Sequence, residues 1–279
     1  MTEDGKNESF NQMIENLKKR AEELGIETDP KKLEEEQKKK RLSFLENKIA
    51  FGIPQWEITG EPSLVGEKFV VGRSWHHDLV ATEPEYRDRI FIQIDPGVAF
   101  GSSHPTTSVC IEAIEKYWKG GNFLDIGTGT GILAIAAAIL QPKAVIDAFD
   151  ISLDITEHAT LHMKINNIAN IKILNGTIED YHDKTYDLVM ANLLPDLLSV
   201  LKTKIISKIK PGGLLVLSGF AERAHGRTFA SFDWVPTISE GMDAANVAKM
   251  FTDLGMNLVE KRNIGEWVGL VLQNPERTK

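Results

Sequence analysis

The spacing of apolar residues changes character several times along this chain, and each change marks a different kind of element. Before residue 50, Phe10, Met13, Ile14, Leu17 and Leu24 recur at helical intervals, with Gly25 where a C-terminal cap belongs. Asp29 and Pro30 then read as an N-cap and a first-turn proline opening a second helix through Leu33, Leu42, Leu45 and Ile49. From Phe51 the helical period gives way to short apolar runs at 66–71 and 90–94, separated by Pro, Gly and Asp, which predicts strands.

Beyond residue 123 strand-like and helix-like runs alternate. An apolar run from Phe123 to Asp125 leads into glycines 127, 129 and 131 and then an Ala/Ile/Leu helix to residue 140. Further strands are expected at 144–150, 171–174, 186–191 and 214–218, with helices at about 153–166, 196–209 and 244–254 between them. Two last strands, 257–262 and 267–273, are joined by a tight turn at Asn263, Ile264 and Gly265. The alternation predicts an α/β domain over 96–279, preceded by a strand-rich connecting region at 50–95 and a charged helical extension at 1–49. That extension has an apolar seam, to be buried against the main domain, a substrate or a second copy.

The chemistry begins at the glycine turn. Without a Cβ at 127, 129 or 131 the backbone can take positive φ, and a ligand can lie against the chain itself. Amides at the start of the following helix add the positive end of its dipole. Dinucleotide sites place the third glycine three residues after the second, whereas here it follows after two. The turn therefore suits a different small molecule with an anionic group, the alternative being a plain turn in some other α/β protein.

Other polar residues fall at strand tips. Asp150 ends the second strand, where a nucleotide-binding α/β fold grips ribose hydroxyls; Asp147 competes, but within the strand its carboxylate would be costly to bury. The loop at 176–180 is where an adenine would lie, and Asn192 follows the strand at 186–191, pointing into the same crevice. Upstream, DPGVAFGSSHPTT at 95–107 reads as an ordered loop delivering Thr106 and Thr107 to the first turn of a helix at 108–118. Their hydroxyls and the free amides there could bind a carboxylate. His104 is either catalytic or a hydrogen-bonding loop residue. His158 and His162, at i and i+4, share a helix face, but no third ligand is evident and no metal site is expected. Cationic and aromatic residues at 221–245 suit contact with a peptide or a planar ligand, or form a surface flap.

Composition narrows the classes. The net charge of −8 leaves no global basic field for a phosphate backbone, so nucleic acid is not expected as the substrate. Cys110 is the single cysteine, which excludes an intramolecular disulfide and a thiolate metal cluster and fits a reducing cytoplasm. The longest apolar run, 132–140, is far short of the roughly 20 residues that span a bilayer. No membrane partner is expected.

The segments DPGVAFGSSHPTT, FLDIGTGTGILAIAAA, FDIS, YDLVMANLL, KPGGLLVLSGF and EKRNIGEWVGLVLQ, in this order, resemble the bacterial PrmA family of ribosomal-protein methyltransferases, over about 56–273. The resemblance implies a class I methyltransferase fold: a doubly wound, Rossmann-like sheet of seven strands with the last antiparallel. It implies S-adenosyl-L-methionine as cofactor and an amine of a peptide or protein as acceptor. The alternatives are a small-molecule N- or O-methyltransferase and a non-catalytic cofactor-binding scaffold. Carried over by position, Phe100, Thr106 and Thr107 would lie against the cofactor. Asp125, Gly127, Thr128, Gly129 and Gly131 would cradle it, with Asp150, Ile151 and Ile178 around its ribose and adenine. Asn192 would sit beside the transferred methyl, as cofactor contact and catalytic residue. Three features depart from the family: AFGSSHPTT is one residue shorter than AFGTGTHPTT, the stretch 1–49 is helical and charged where the family has an α/β recognition domain, and the 221–245 loop is longer. Acceptor selection is accordingly expected in those last two regions, with the N-terminal helices also able to pair two copies.

Overall fold

Apolar residues of period two fix the first described elements. The structure, a computed structural model, describes residues 61–95, 104–181, 183–223 and 242–276. The two helices expected before residue 50, Phe100 and most of the 221–245 loop lie outside the described residues. Strands Ser63–Val65 (β1) and Phe69–Gly72 (β2) form an antiparallel hairpin, followed by a single 3-10 turn at Ser74–His76 and a short helix, His77–Thr82 (α1). Strand Ile90–Gln93 (β3) then returns parallel to β2. All four β2 positions are buried: Val70 packs with Val80 and Tyr86 on one face, while Phe69 and Val71 enter the main core on the other.

The main sheet follows. Its elements are helix Pro105–Tyr117 (α2), strand Asn122–Ile126 (β4), helix Ile132–Leu140 (α3), strand Val145–Asp150 (β5), helix Leu153–Ile165 (α4) and strand Ile171–Asn175 (β6). A 3-10 turn at Ile178–Tyr181 leads to strand Tyr186–Asn192 (β7), helix Pro195–Ser207 (α5) and strand Ile209–Ala221 (β8). Helix Ala244–Thr252 (α6) and strands Asn257–Ile264 (β9) and Trp267–Gln273 (β10) close the fold. The strand order is β6-β5-β4-β7-β8-β10-β9, parallel from β6 to β8, with β10 antiparallel to both its neighbours. This is the expected seven-stranded Rossmann-like sheet, and its order reverses between β4 and β7, where such sheets open a ligand crevice.

Alternation along β4 serves two cores. Phe123 faces α2 and α3, while Leu124 and Ile126 face the side that α5 and α6 cover with Leu198, Ile205, Val247 and Phe251. Helix α3 is buried from Ile132 through Ala138. Its all-round apolarity is matched by the small sheet, whose Val65, Phe69, Val71 and Ile92 join the same cluster. Among the described residues, no helix is long and apolar enough to cross a membrane.

Several boundaries differ from the sequence expectation for physical reasons. The run at 66–71 becomes a strand only at Phe69, because Gly66 turns the hairpin at φ 60° and Glu115 of α2 accepts the Glu67 and Lys68 amides at 2.8 and 2.9 Å. Pro211, Gly212 and Gly213 do not separate a helix from a strand. Gly212 at φ 77° is absorbed as an irregularity within β8, whose Ile209 already pairs with Tyr186, so α5 stops at Ser207. The last hairpin turns at Gly265 and Glu266 rather than at 263–265, since Ile264 still pairs with Trp267.

Candidate active site

The glycine turn lies at the carboxyl end of β4. Gly127, Gly129 and Gly131 have φ of 69°, 54° and 82°, in the left-handed region that a side chain disfavours. The loop is held from below: Thr128 N donates to Phe149 O at 2.9 Å, Gly131 N to Thr128 O at 2.9 Å, and Thr128 Oγ1 to Asp125 Oδ2 at 2.7 Å. Asp125 is 1% exposed, so it braces the loop from beneath. Burial pushes its carboxyl up to about 7, against the opposing pull of the Thr128 hydroxyl and the Ala134 amide.

The two competing aspartates of β5 have different surroundings. Asp147 is buried and committed, accepting from Lys184 Nζ and Tyr186 OH at 2.8 Å each. Asp150 is half-buried at the strand tip, and its two oxygens take long bonds of 3.3 Å from Gly129 N and Ser152 N. Its lone pairs face the glycine loop and can still receive stronger donors. Neighbouring backbone is tied down, with Gly176 N donating to Asp150 O at 3.0 Å and Asn175 Nδ2 to Ile151 O at 3.0 Å. Ile151 then offers an apolar side chain that is 68% exposed, whereas Ile178 is buried in the core behind it.

Across the switch point, Asn192 ends β7 half-buried, its Nδ2 3.4 Å from Thr107 Oγ1, at the outer limit of a hydrogen bond. Leu193 N donates to Ser218 O at 3.0 Å, and the backbone of Leu193 lies so close to Gly219 (φ 102°) that a Cβ there would overlap it. Gly219 falls just past the strand expected at 214–218, and only the extension of β8 to Ala221 puts this close approach inside a strand.

The start of α2 differs from expectation in one respect. Thr106 and Thr107 do occupy its first turn, both buried, but their amides are not free. His104 serves as the cap: Nδ1 accepts from Thr106 N at 3.3 Å and its carbonyl from Thr107 N at 2.9 Å. The same Nδ1 lies 2.9 Å from Thr106 Oγ1, and the ring stands edge-on to Trp267 at 4.4 Å. A carboxylate could meet the hydroxyl side of this turn, and the His104 ring is occupied with capping. Of the expected ligand contacts, Gly127, Thr128, Gly129, Gly131, Asp150, Ile151 and Asn192 lie at the carboxyl ends of β4, β5 and β7, and Thr106 and Thr107 open α2 beside Asn192, whereas Asp125 and Ile178 are buried behind them.

On α4, the rings of His158 and His162 are 4.5 Å apart, with His158 Nδ1 and His162 Nε2 buried and unpartnered. His162 Nδ1 instead lies 2.9 Å from Thr130 O in the glycine turn. Among the described residues no third His, Cys, Asp or Glu joins the pair to make a metal-binding group.

The sequence profile of the family described as "Ribosomal protein L11 methyltransferase (PrmA)" matches residues 9–230, beginning well upstream of residue 56. The chain is similar to the ribosomal protein L11 methyltransferase of Geobacillus kaustophilus, with 31% identity over 79% of this chain and 64% of that one. With the Bacillus subtilis protein of the same name it shares 29% over 77% of this chain and 63% of that one. The chain thus spans less than two thirds of the length of these relatives. The crystal structure of a ribosomal protein L11 methylase from Lactobacillus delbrueckii subsp. bulgaricus superposes with a TM-score of 0.64 at 24% identity. It covers 77% of this chain and all of that one, which supports the fold.

Proposed function

This chain belongs to the ribosomal protein L11 methyltransferase (PrmA) family, and on that premise we propose that it is an S-adenosylmethionine-dependent N-methyltransferase acting on an amine of a peptide or protein. The observation that carries the proposal is the meeting, at one switch point, of the glycine loop with Asp150 on one side and Asn192 with Thr107 on the other.

The residues present fit the donor. The left-handed backbone at 127, 129 and 131 makes the tight turn that brings main chain up to a ligand at the strand tip, and half-buried Asp150 keeps acceptor capacity for two vicinal hydroxyls, whereas Asp147 is buried and already paired with Lys184 and Tyr186. Ile151 supplies an apolar face for a planar base. When bound, the donor supplies an electrophilic methyl on a sulfonium.

The protein then has to hold a nucleophile in line, which in favourable cases contributes roughly 7 to 11 kcal/mol. On this reading Asn192 orients the nucleophile: its Nδ2 lies 3.4 Å from Thr107 Oγ1, which leaves the carboxamide oxygen able to accept a hydrogen bond from an amine. The amine must arrive neutral, and a desolvated crevice beside a cation lowers its pKa in that direction. No side chain is needed as a dedicated base, since the methylated ammonium can release its proton to water.

Calorimetric titration of the protein with S-adenosylmethionine tests the donor, and incubation of cell lysate with labelled donor followed by mass spectrometry tests the acceptor. Saturable binding that is lost in Asp150→Ala, with label on a protein amine, supports the proposal. Absence of binding, or an Asp150→Ala variant that binds as the wild type does, refutes it.

A further inference from the structure

His158, His162 and Asn166 follow one another at four-residue intervals and share one face of α4 and its C-terminal cap. Asn166 clamps the end of β3 from both sides: Gln93 N donates to its Oδ1 at 2.9 Å, and its Nδ2 donates to Gln93 O at 2.8 Å. One turn earlier, the fully buried His162 reaches the glycine loop through Nδ1, 2.9 Å from Thr130 O. A carbonyl can only accept, so Nδ1 carries the proton, and in the neutral ring Nε2 is a bare lone pair. Among the described residues no group lies within hydrogen-bond distance of that lone pair, although the Asp95 backbone faces the ring.

A buried imidazole with one unsatisfied nitrogen is a poor core residue, so its one satisfied bond is the feature that needs explaining. The loop is pressed onto α4 at that point. Ala159, three residues before His162, lies 3.3 Å from where a Cβ on Gly131 would stand. Facing the ring are His158 on its own helix and Asp95 beyond the end of β3, while the loop presents the Thr130 carbonyl. Burial, helped by His158, holds the ring below the usual histidine pKa against the opposing effects of the Thr130 carbonyl and of the Asp95 backbone and carboxylate, so the neutral ring prevails at pH 7.

We propose that His162 is a positioning residue for the donor-binding loop: its Nδ1–H holds the Thr130 carbonyl and thereby sets the backbone from Gly129 to Gly131 in the conformation that receives the donor. The inference rests on the reading of this loop as the donor site. Through Asn166 the same helix face also joins the small sheet to that loop.

The test titrates S-adenosylhomocysteine calorimetrically into wild type, His162→Asn and His162→Gln, with thermal unfolding of each alongside. An Asn amide can occupy the Nδ1 position and a Gln amide the Nε2 position, at similar polarity. Affinity within about threefold of wild type for Asn, and weakened by roughly tenfold for Gln at a similar unfolding temperature, is the expected result. Equal affinities in the two variants overturn the proposal. Nitrogen-15 shifts of the His162 ring in the wild-type protein provide a check that requires no variant: the Nδ1–H tautomer is expected, and the Nε2–H tautomer overturns the proposal. A wild-type protein that binds no ligand removes the donor-site reading itself, a result distinct from binding without dependence on His162.

Discussion

Leu193 lies across Gly127: a Cβ on that glycine would come within 2.6 Å of Leu193 Cδ2. The backbone of the same leucine is confined on its other side by Gly219 and by the bond from Leu193 N to Ser218 O. One side chain therefore gears the loop after β4 to the end of β7, which carries Asn192.

Gly127→Ala should act through that gear. A non-glycine residue at φ 69° costs about 1 to 2 kcal/mol in backbone strain, and the added methyl must push Leu193 aside. Donor affinity is expected to fall by roughly tenfold or more, with partial recovery in Gly127→Ala/Leu193→Ala, where the obstruction is gone and the strain remains. A double-mutant cycle on binding measures this. Strict additivity of the two substitutions would show that Leu193 does not transmit the change.

Asp147 and Asp150 should separate stability from binding. Asp147→Ala leaves the Tyr186 hydroxyl without its acceptor in the core, a loss of about 1 to 3 kcal/mol. Lys184, about half exposed, can turn to water. Asp150 makes only two long bonds to backbone amides, so Asp150→Ala should leave urea denaturation nearly unchanged while donor binding collapses. The reverse assignment, with Asp147→Ala selectively abolishing binding, would move the ribose contact to Asp147.

The contrast between these aspartates shows how far the sequence could be read. Asp150 at a strand tip was legible, because strand order and the glycine turn together define a tip. The fate of Asp147 was not, since Lys184 and Tyr186, which make its burial tolerable, are distant in sequence and come to it through the sheet. The same holds for Thr106 and Thr107. Their place at the helix start is legible in the loop at 95–107 that precedes it, but His104 capping their amides depends on a loop rotamer that no spacing reveals. Strand Phe69–Gly72 began late because Glu115, on a later helix, ties down the turn before it. Local period thus gave the elements and their order, and long-range polar contacts decided what each exposed group was free to do.

Asn192→Ala should alter catalysis more than binding of the donor. Its carboxamide meets Thr107, across the switch point from Asp150, and no bond from it to the glycine loop is among those of the described residues. With a protein acceptor in hand, kcat is expected to drop by about 100-fold while donor affinity changes by no more than about threefold. Thr107→Val, which frees the carboxamide to rotate, should give a smaller drop in the same direction. Equal losses in donor affinity and kcat would make Asn192 a donor contact alone.

Asp125 gives the fold a pH dependence whose sign is set by burial. Its folded-state pKa of about 7 lies above the value near 4 of an unfolded aspartate. Between those values the folded protein binds the extra proton, so this group's contribution is fully present below about pH 4 and is lost as pH rises through 7. The slope is about 1.4 kcal/mol for each pH unit at most. Asp125→Asn can still accept from Thr128 Oγ1 and cannot ionise. The variant should therefore come nearest to the wild type below about pH 4, gain on it from there to about pH 7, and hold a constant advantage above that, in denaturant unfolding without ligand. A difference that stays flat across that range would mean that the carboxylate ionises under the loop as it does in water.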